Sequence, residues 1–396
     1  MDRDAIAQRN QLMARAFHAD SPRHRLRRAF IHGAARLPIA SQTAKNRVLL
    51  IRPDHLGDMI LATPAMLALR QSRPNLELHV LASPSSAAVL AHLPAVDRVL
   101  TTDFPGFNRN VPKESLIQPY THLLKVAHQL RLVGYETAII MRADHWWGAM
   151  LAYLSGIRQR IGYDLPDVMP FLTEAMPFAP ASHAVRQNMR LVERWTGFIP
   201  DSEIPFGLHV APQDADDVTE LLRQYRLHDQ RLVAIHPGAG TWVKQWDTER
   251  WAVVADTLTE QLGARVIFTG TERERSLVDH IQNAAHHKTY TTVGALKIGQ
   301  LAALFARCAV VLGPDSGPLH LAAAVGAPTV ALFGPADPQE FAPWGPRTRH
   351  AVLTSTIACR PCRVLDWADD DPQFHPCVRD IGLGEVLDAA RRVARR

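Results

Sequence analysis

Short, uninterrupted apolar runs bounded by polar loops constrain this chain more than any other feature. Val48-Leu49-Leu50-Ile51 shows no alternation of faces, so it reads as a strand buried on both sides, the pattern of a parallel sheet covered by helices. A helical stretch follows to about Ser72. Then come a strand at Leu78–Leu81, a helix near Ser85–His92 and a strand at Arg98–Thr101. A Pro-, Gly- and Asn-rich loop at Phe104–Pro119 precedes a helix to about Leu132, a strand at Thr137–Met141 and a helix at Trp146–Leu154. After an Ala184–Gly197 helix, Pro200, Pro205 and Pro212 read as a linker. The alternation then restarts with a strand at Leu232–His236 and a helix at Thr248–Leu262, which places Trp251, Val254, Ala255, Leu258 and Leu262 on one face and stops at Gly263. Further on lie a strand at Arg265–Thr269, helices at Glu272–Ala285 and Ile298–Ala306, and buried strands at Val310–Leu312 and Thr329–Phe333 around a Leu319–Val325 helix. The prediction is an α/β protein of two Rossmann-like, doubly wound domains facing across a cleft, with ligands beyond the carboxyl ends of the strands. The expected division is a basic N-terminal extension at 1–44, domains at 45–205 and 206–383, and a C-terminal helix at 384–396.

Length supports two domains, because 396 residues exceed what one core usually serves. A composition of 47% hydrophobic and 21% charged residues is that of a globular protein. The uncharged, apolar stretch from Trp146 to Ile157 falls short of the ~20 residues of a membrane span. The polar Met1–Asn10 segment has no apolar signal core, and four cysteines make no disulfide framework, so a cytoplasmic protein is expected. The net charge of +5 is unevenly placed: Arg23, Arg25, Arg27 and Arg28 cluster with His24 and His32, and the chain closes on Arg391, Arg392, Arg395 and Arg396. Such clusters attract phosphates, including those of an anionic inner-membrane leaflet; a solvated helix face accounts for them equally. Basic residues do not interleave with aromatics, so nucleic acid is not an expected partner.

The segment Gly313-Pro314-Asp315-Ser316-Gly317-Pro318-Leu319-His320 joins a buried strand to a helix that Pro318 is suited to start. Gly317 lets backbone approach closely, and the open N–H groups of a helix start suit a diphosphate. Asp315 is better matched to a sugar or ribose hydroxyl, and His320 can donate to a phosphate oxygen. A tight turn with a capping Asp and a packed His is the alternative. The loop His236-Pro237-Gly238-Ala239-Gly240-Thr241-Trp242-Val243-Lys244 lacks the third glycine of a dinucleotide fingerprint, but Lys244 adds a mobile cation. Glu272 in Gly270-Thr271-Glu272 lies where Rossmann-like domains bind a ribose diol, and it equally favours a helix dipole. In the first half, Gly57 bends the Arg52-Pro53-Asp54-His55-Leu56-Gly57-Asp58 loop. Asp58 at a helix start stays ionised, as a general base requires and as a simple cap also would.

Several motifs, in order, resemble glycosyltransferase family 9, the ADP-heptose:lipopolysaccharide heptosyltransferases and relatives. They are Gly57-Asp58 with Thr63-Pro64, the Gly156–Tyr163 segment, His236-Pro237-Gly238, Lys244-Gln245-Trp246, Asp315–His320, Phe333-Gly334-Pro335 and Trp344-Gly345-Pro346. The resemblance implies a GT-B fold, inversion at the anomeric carbon and no cofactor or required metal. It makes the first domain the acceptor domain and the second the donor domain. By motif, Asp58 resembles the catalytic base. Gly240, Thr241 and Lys244 match the phosphate loop and Glu272 the ribose position. Leu296 falls near the purine, Asp315 and Ser316 near the donor sugar, and Gly317 and His320 at the diphosphate. Arg52, Gly57 and Arg142 fall on the side of an anionic acceptor. The implied partners are a nucleotide-diphosphate sugar and a lipopolysaccharide-core or other glycolipid acceptor, met at the membrane's cytoplasmic face.

Residues 1–44 and the Arg52–Leu56 loop depart from the best-known heptosyltransferases, which leaves open another sugar and a capsule or O-chain acceptor. A nucleotide-sugar epimerase and a non-catalytic nucleotide-sugar-binding adaptor are the rival classes. Cys359, Cys362, His375 and Cys377 supply a possible zinc set, although the spacing of the second pair does not repeat the first. Cys308 reads as core.

Overall fold

A computed structural model describes residues 2–18, 22–42, 46–91, 93–107, 117–367 and 371–394. Arg395, Arg396, the middle of the expected Phe104–Pro119 loop and the side chains of Arg23 and His24 lie outside the described residues. The chain forms two compact units, Asp20–Phe206 and Met1–Ala19 together with Gly207–Arg396.

The N-terminal unit carries a six-stranded sheet in the order β3-β2-β1-β4-β5-β6. Its strands are β1 (Arg47–Arg52), β2 (Glu77–Ala82), β3 (Arg98–Thr101), β4 (Thr137–Ile140), β5 (Gln159–Tyr163) and β6 (Glu174–Met176), all parallel to their neighbours. The apolar run reads as expected, with Leu49, Leu50 and Ile51 fully buried between helices. In the C-terminal unit, β7 (Leu232–Ile235), β8 (Arg265–Phe268), β9 (Tyr290–Thr291), β10 (Cys308–Pro314), β11 (Thr329–Phe333) and β12 (His350–Thr354) pair in the order β12-β11-β10-β7-β8-β9. Counted within each unit, both orders are the 3-2-1-4-5-6 of dinucleotide-binding sheets, reversing between β1 and β4 and between β7 and β10. That reversal opens a crevice at the carboxyl ends of the two flanking strands.

Strands β5, β6, β9 and β12 go beyond the sequence reading, as does the Pro212–Gln224 helix. Pro212 occupies its first turn, where a missing N–H costs nothing, so the proline read as linker is a helix start. The expected 384–396 helix is Leu383–Val393, with Val386, Ala390 and Val393 in the core of the C-terminal unit. Residues 1–44 are not an appendage. Ile6 and Ala7 of the Arg3–Phe17 helix enter the core of the C-terminal unit, while Ile31 and Ala34 of the Pro22–Ala34 helix enter that of the other. No helix among the described residues is long and apolar enough to cross a membrane.

Candidate functional site

In the N-terminal unit the chemistry gathers where β1 and β4 end. Arg52 closes β1 and Arg142 follows β4, held adjacent by the register that pairs Ile51 with Ile140. Between them lies Asp54, whose carboxylate is buried. Its Oδ2 is 2.7 Å from Arg52 Nε, and its Oδ1 accepts from Arg142 Nη1. Burial pushes the Asp54 carboxyl up, but the two guanidiniums more than offset this and hold it below the usual carboxylate range. Arg142 also donates through Nε to Asp144 Oδ1 at 2.5 Å. Asp58 sits in the first turn of the Leu56–Ile60 helix after the buried Gly57, and its Oδ1 lies 3.6 Å from Arg52 Nη2. His145, fully buried beside this cluster, has no hydrogen-bond partner on either ring nitrogen, and burial drives its pKa down to about 3. Neither Asp54 nor His145 was singled out from sequence. The pairing across the crevice becomes visible only once β1 and β4 are known to be neighbours.

In the C-terminal unit the corresponding crevice lies between β7 and β10. Lys244 Nζ donates to Asp315 Oδ2 at 2.6 Å, and His320 Nε2 is 3.9 Å from Asp315 Oδ1. The Gly317–Ala324 helix opens on Ser316, which makes no capping bond, although serine at such a position usually caps the first turn. Thr241, ahead of the single turn Trp242–Lys244, likewise leaves its helix uncapped. Both hydroxyl oxygens are buried without a hydrogen-bond partner. A buried hydroxyl left unpaired costs about 1–3 kcal/mol. Two of them beside a lysine and an open helix start make an arrangement suited to an anion with several acceptor oxygens. Gly313 permits this closeness, because a Cβ there would collide with the His236 carbonyl oxygen and stand 2.8 Å from Leu319 Cδ2.

Glu272 lies at the carboxyl end of neighbouring β8, exposed and bound to Arg275 at 2.5 Å and 2.7 Å, an attachment that holds its carboxyl below the usual range. It abuts Gly294 in the turn ahead of Leu296. Gly240 is exposed in the loop after β7. The structure thus gathers Arg52, Gly57, Asp58 and Arg142 in one unit. In the other it gathers Thr241, Lys244, Asp315, Ser316, Gly317 and His320, with Glu272 after the adjacent β8 and Leu296 after β9, the next strand out.

Cys359, Cys362, His375 and Cys377 line one small pocket with Asn10, Arg360 and Trp367. Burial raises all three thiols, Cys377 to about 12. Among the described residues, no group of three or more His, Cys, Asp or Glu side chains is arranged to hold a metal ion. Cys308 is buried, as expected.

A model of glycosyltransferase family 9 (heptosyltransferase) matches residues 123–367. Lipopolysaccharide heptosyltransferase 3 of Escherichia coli (strain K12) is 25% identical over 301 residues, which cover 73% of this chain and 82% of that protein. Among solved structures, a family 9 glycosyl transferase from Veillonella parvula DSM 2008 superposes with a TM-score of 0.73 at 21% identity, covering 90% of this chain and 98% of that one. The E. coli ADP-heptose lps heptosyltransferase II gives 0.69 at 20%, covering 88% and 98%. These structural likenesses show the fold.

Proposed function

The chain belongs to glycosyltransferase family 9, the heptosyltransferase family, and we propose that it moves a heptose from ADP-heptose to a lipopolysaccharide-core or related glycolipid acceptor, with inversion and without a metal. The donor named for the E. coli relative supports the choice of nucleotide sugar. The observation that carries the reading is the anion-suited arrangement of Lys244, Thr241, Ser316 and the Gly317 helix start.

In this reading Asp58 takes the proton of the acceptor hydroxyl as its oxygen attacks the anomeric carbon. The bond from that carbon to the nucleoside diphosphate breaks, and the diphosphate leaves with the electron pair. Lys244, His320 and the helix start stabilise the charge gained, which is electrostatic catalysis by groups already in place. Glu272 meets the ribose and Leu296 the purine. Arg142 lies on the acceptor side, and the protein works at the anionic cytoplasmic face of the inner membrane. The test pairs turnover with donor binding: Asp58→Asn abolishes transfer, while calorimetry finds ADP-heptose affinity within about threefold, and the parent enzyme keeps its rate in EDTA. Near-normal turnover in that variant reduces Asp58 to a helix cap, and a strict need for divalent cation overturns the metal-free mechanism.

A further inference from the structure

Arg52 is buried among protein partners. Its side chain is 8% exposed, and each edge of the guanidinium meets protein. Nε faces Asp54 Oδ2 at 2.7 Å, and Nη1 donates to the Met141 carbonyl and to Asn188 Oδ1 at 3.3 Å. Nη2 points at Asp58 Oδ1. Asn188 is itself fixed, donating to the carbonyls of Leu61 and Ala184 at 3.1 Å and 2.8 Å. A buried guanidinium anchored through Nη1 and ion-paired through Nε, with Nη2 facing a second carboxylate, presents a cation at a set place.

We infer that Asp54 and Arg52 are positioning residues for Asp58: the buried Asp54 carboxylate and Asn188 fix the Arg52 guanidinium, whose Nη2 lies 3.6 Å from Asp58 Oδ1 and orients that carboxylate toward the acceptor's hydroxyl. Arg52 therefore acts on the base and does not bind the acceptor. The inference rests on Asp58 being the base. Geometry supplies the reason for a dedicated clamp. A general base works only within about 2.6–3.2 Å of the proton it removes, and a misplacement of 1 Å costs on the order of a hundredfold in rate. Asp58 stands near the start of a helix of only five residues. Asp54 also ties Arg142, so one buried carboxylate fixes the ends of both strands flanking the crevice.

The experiment separates kcat from KM in Arg52→Gln, Arg52→Lys and Asp54→Asn, with folding checked by circular dichroism. A positioning role predicts a kcat loss of at least tenfold in Arg52→Gln and Asp54→Asn. KM for acceptor and donor should stay within about threefold. Arg52→Lys, which keeps the charge but not the fork, should recover part of kcat. An acceptor KM raised more than tenfold at near-normal kcat makes Arg52 an acceptor ligand and overturns the inference, as does an unchanged kcat in both neutral variants. If one neutral variant does not fold, the other carries the same comparison against Arg52→Lys. Active Asp58→Asn would sink the base reading itself; inactive Asp58→Asn with unaffected Arg52 and Asp54 variants would sink the clamp alone.

Discussion

Lys244 Nζ stands 2.6 Å from Asp315 Oδ2, and this pair bridges the loops leaving β7 and β10, the strands at which the C-terminal sheet reverses its order. The Asp54–Arg142 pair does the same between β1 and β4 in the other sheet. Each unit therefore ties its own crevice with one carboxylate and at least one cation.

Lys244→Ala removes the cation and leaves Asp315, 6% exposed, as an unpaired buried carboxylate. ADP affinity should fall at least tenfold by calorimetry, and the thermal midpoint should drop as well. Asp315→Asn should weaken the intact sugar nucleotide more than ADP, and equal losses would place Asp315 away from the sugar.

Gly313→Ala forces a methyl group against the His236 carbonyl, which belongs to the end of β7 and cannot rotate away. The expected cost is about 1–3 kcal/mol, read from urea unfolding. Weaker ADP binding should accompany it, because the loop that carries Asp315 must shift. A variant as stable as the parent would show that this junction yields.

Acid sensitivity follows from two buried imidazoles. Burial brings His145 down to about 3 and His350 to about 4, against about 6.5 in an unfolded chain. Below about pH 6.5 the unfolded chain binds protons that the folded one refuses, so stability is full above that value and drains as pH falls toward 4 and then 3. Asp54 has the depressed pKa of a paired carboxylate, so its contribution is present above about pH 4 and is lost further down. The urea midpoint should therefore fall from pH 7 to pH 4.5, less steeply in His145→Phe. A flat profile over that range would contradict the assignment.

Removing residues 1–18 should lower the thermal midpoint, because Ile6 and Ala7 fill part of a core and Asn10 donates to the Phe374 carbonyl at 2.7 Å. Membrane contact is for that reason better tested by charge than by truncation. Asp167 pairs with Arg27 and Arg28 at 2.7 Å, so the charge test changes Arg23 and Arg25 and keeps that pair intact. At ~1 kcal/mol per basic residue near an anionic surface, Arg23→Gln with Arg25→Gln should reduce sedimentation with anionic vesicles at low salt. Transfer to a soluble acceptor fragment should be unaffected. Unaltered sedimentation would remove this segment from the membrane proposal.

Much of this architecture was legible because parallel sheets bury whole strands: the runs at Val48–Ile51 and Thr329–Phe333 announce themselves. The edge strands β6 and β9 did not, since they are three and two residues long, too short for any periodicity. The Pro212–Gln224 helix was missed because it buries little beyond Val218 and Leu222. Lys244 and Asp315 were both named from sequence, but their pairing needed the strand order. Asp54 is not legible as a site residue in the sequence, because its partnership with Arg142 arises only from the neighbouring of β1 and β4.

The Arg3–Phe17 helix leaves the ribosome long before the residues it packs against. Asn10 and Phe374 are separated by 364 positions. At roughly 5–20 residues per second of synthesis, the helix waits on the order of 20–70 s before the loop it packs against exists. The Asp20–Phe206 unit can fold during that interval, while the unit built from Met1–Ala19 and Gly207–Arg396 cannot close until its second segment has been made. Nascent chains should therefore acquire protease resistance in two steps, with the first helix protected only in the second.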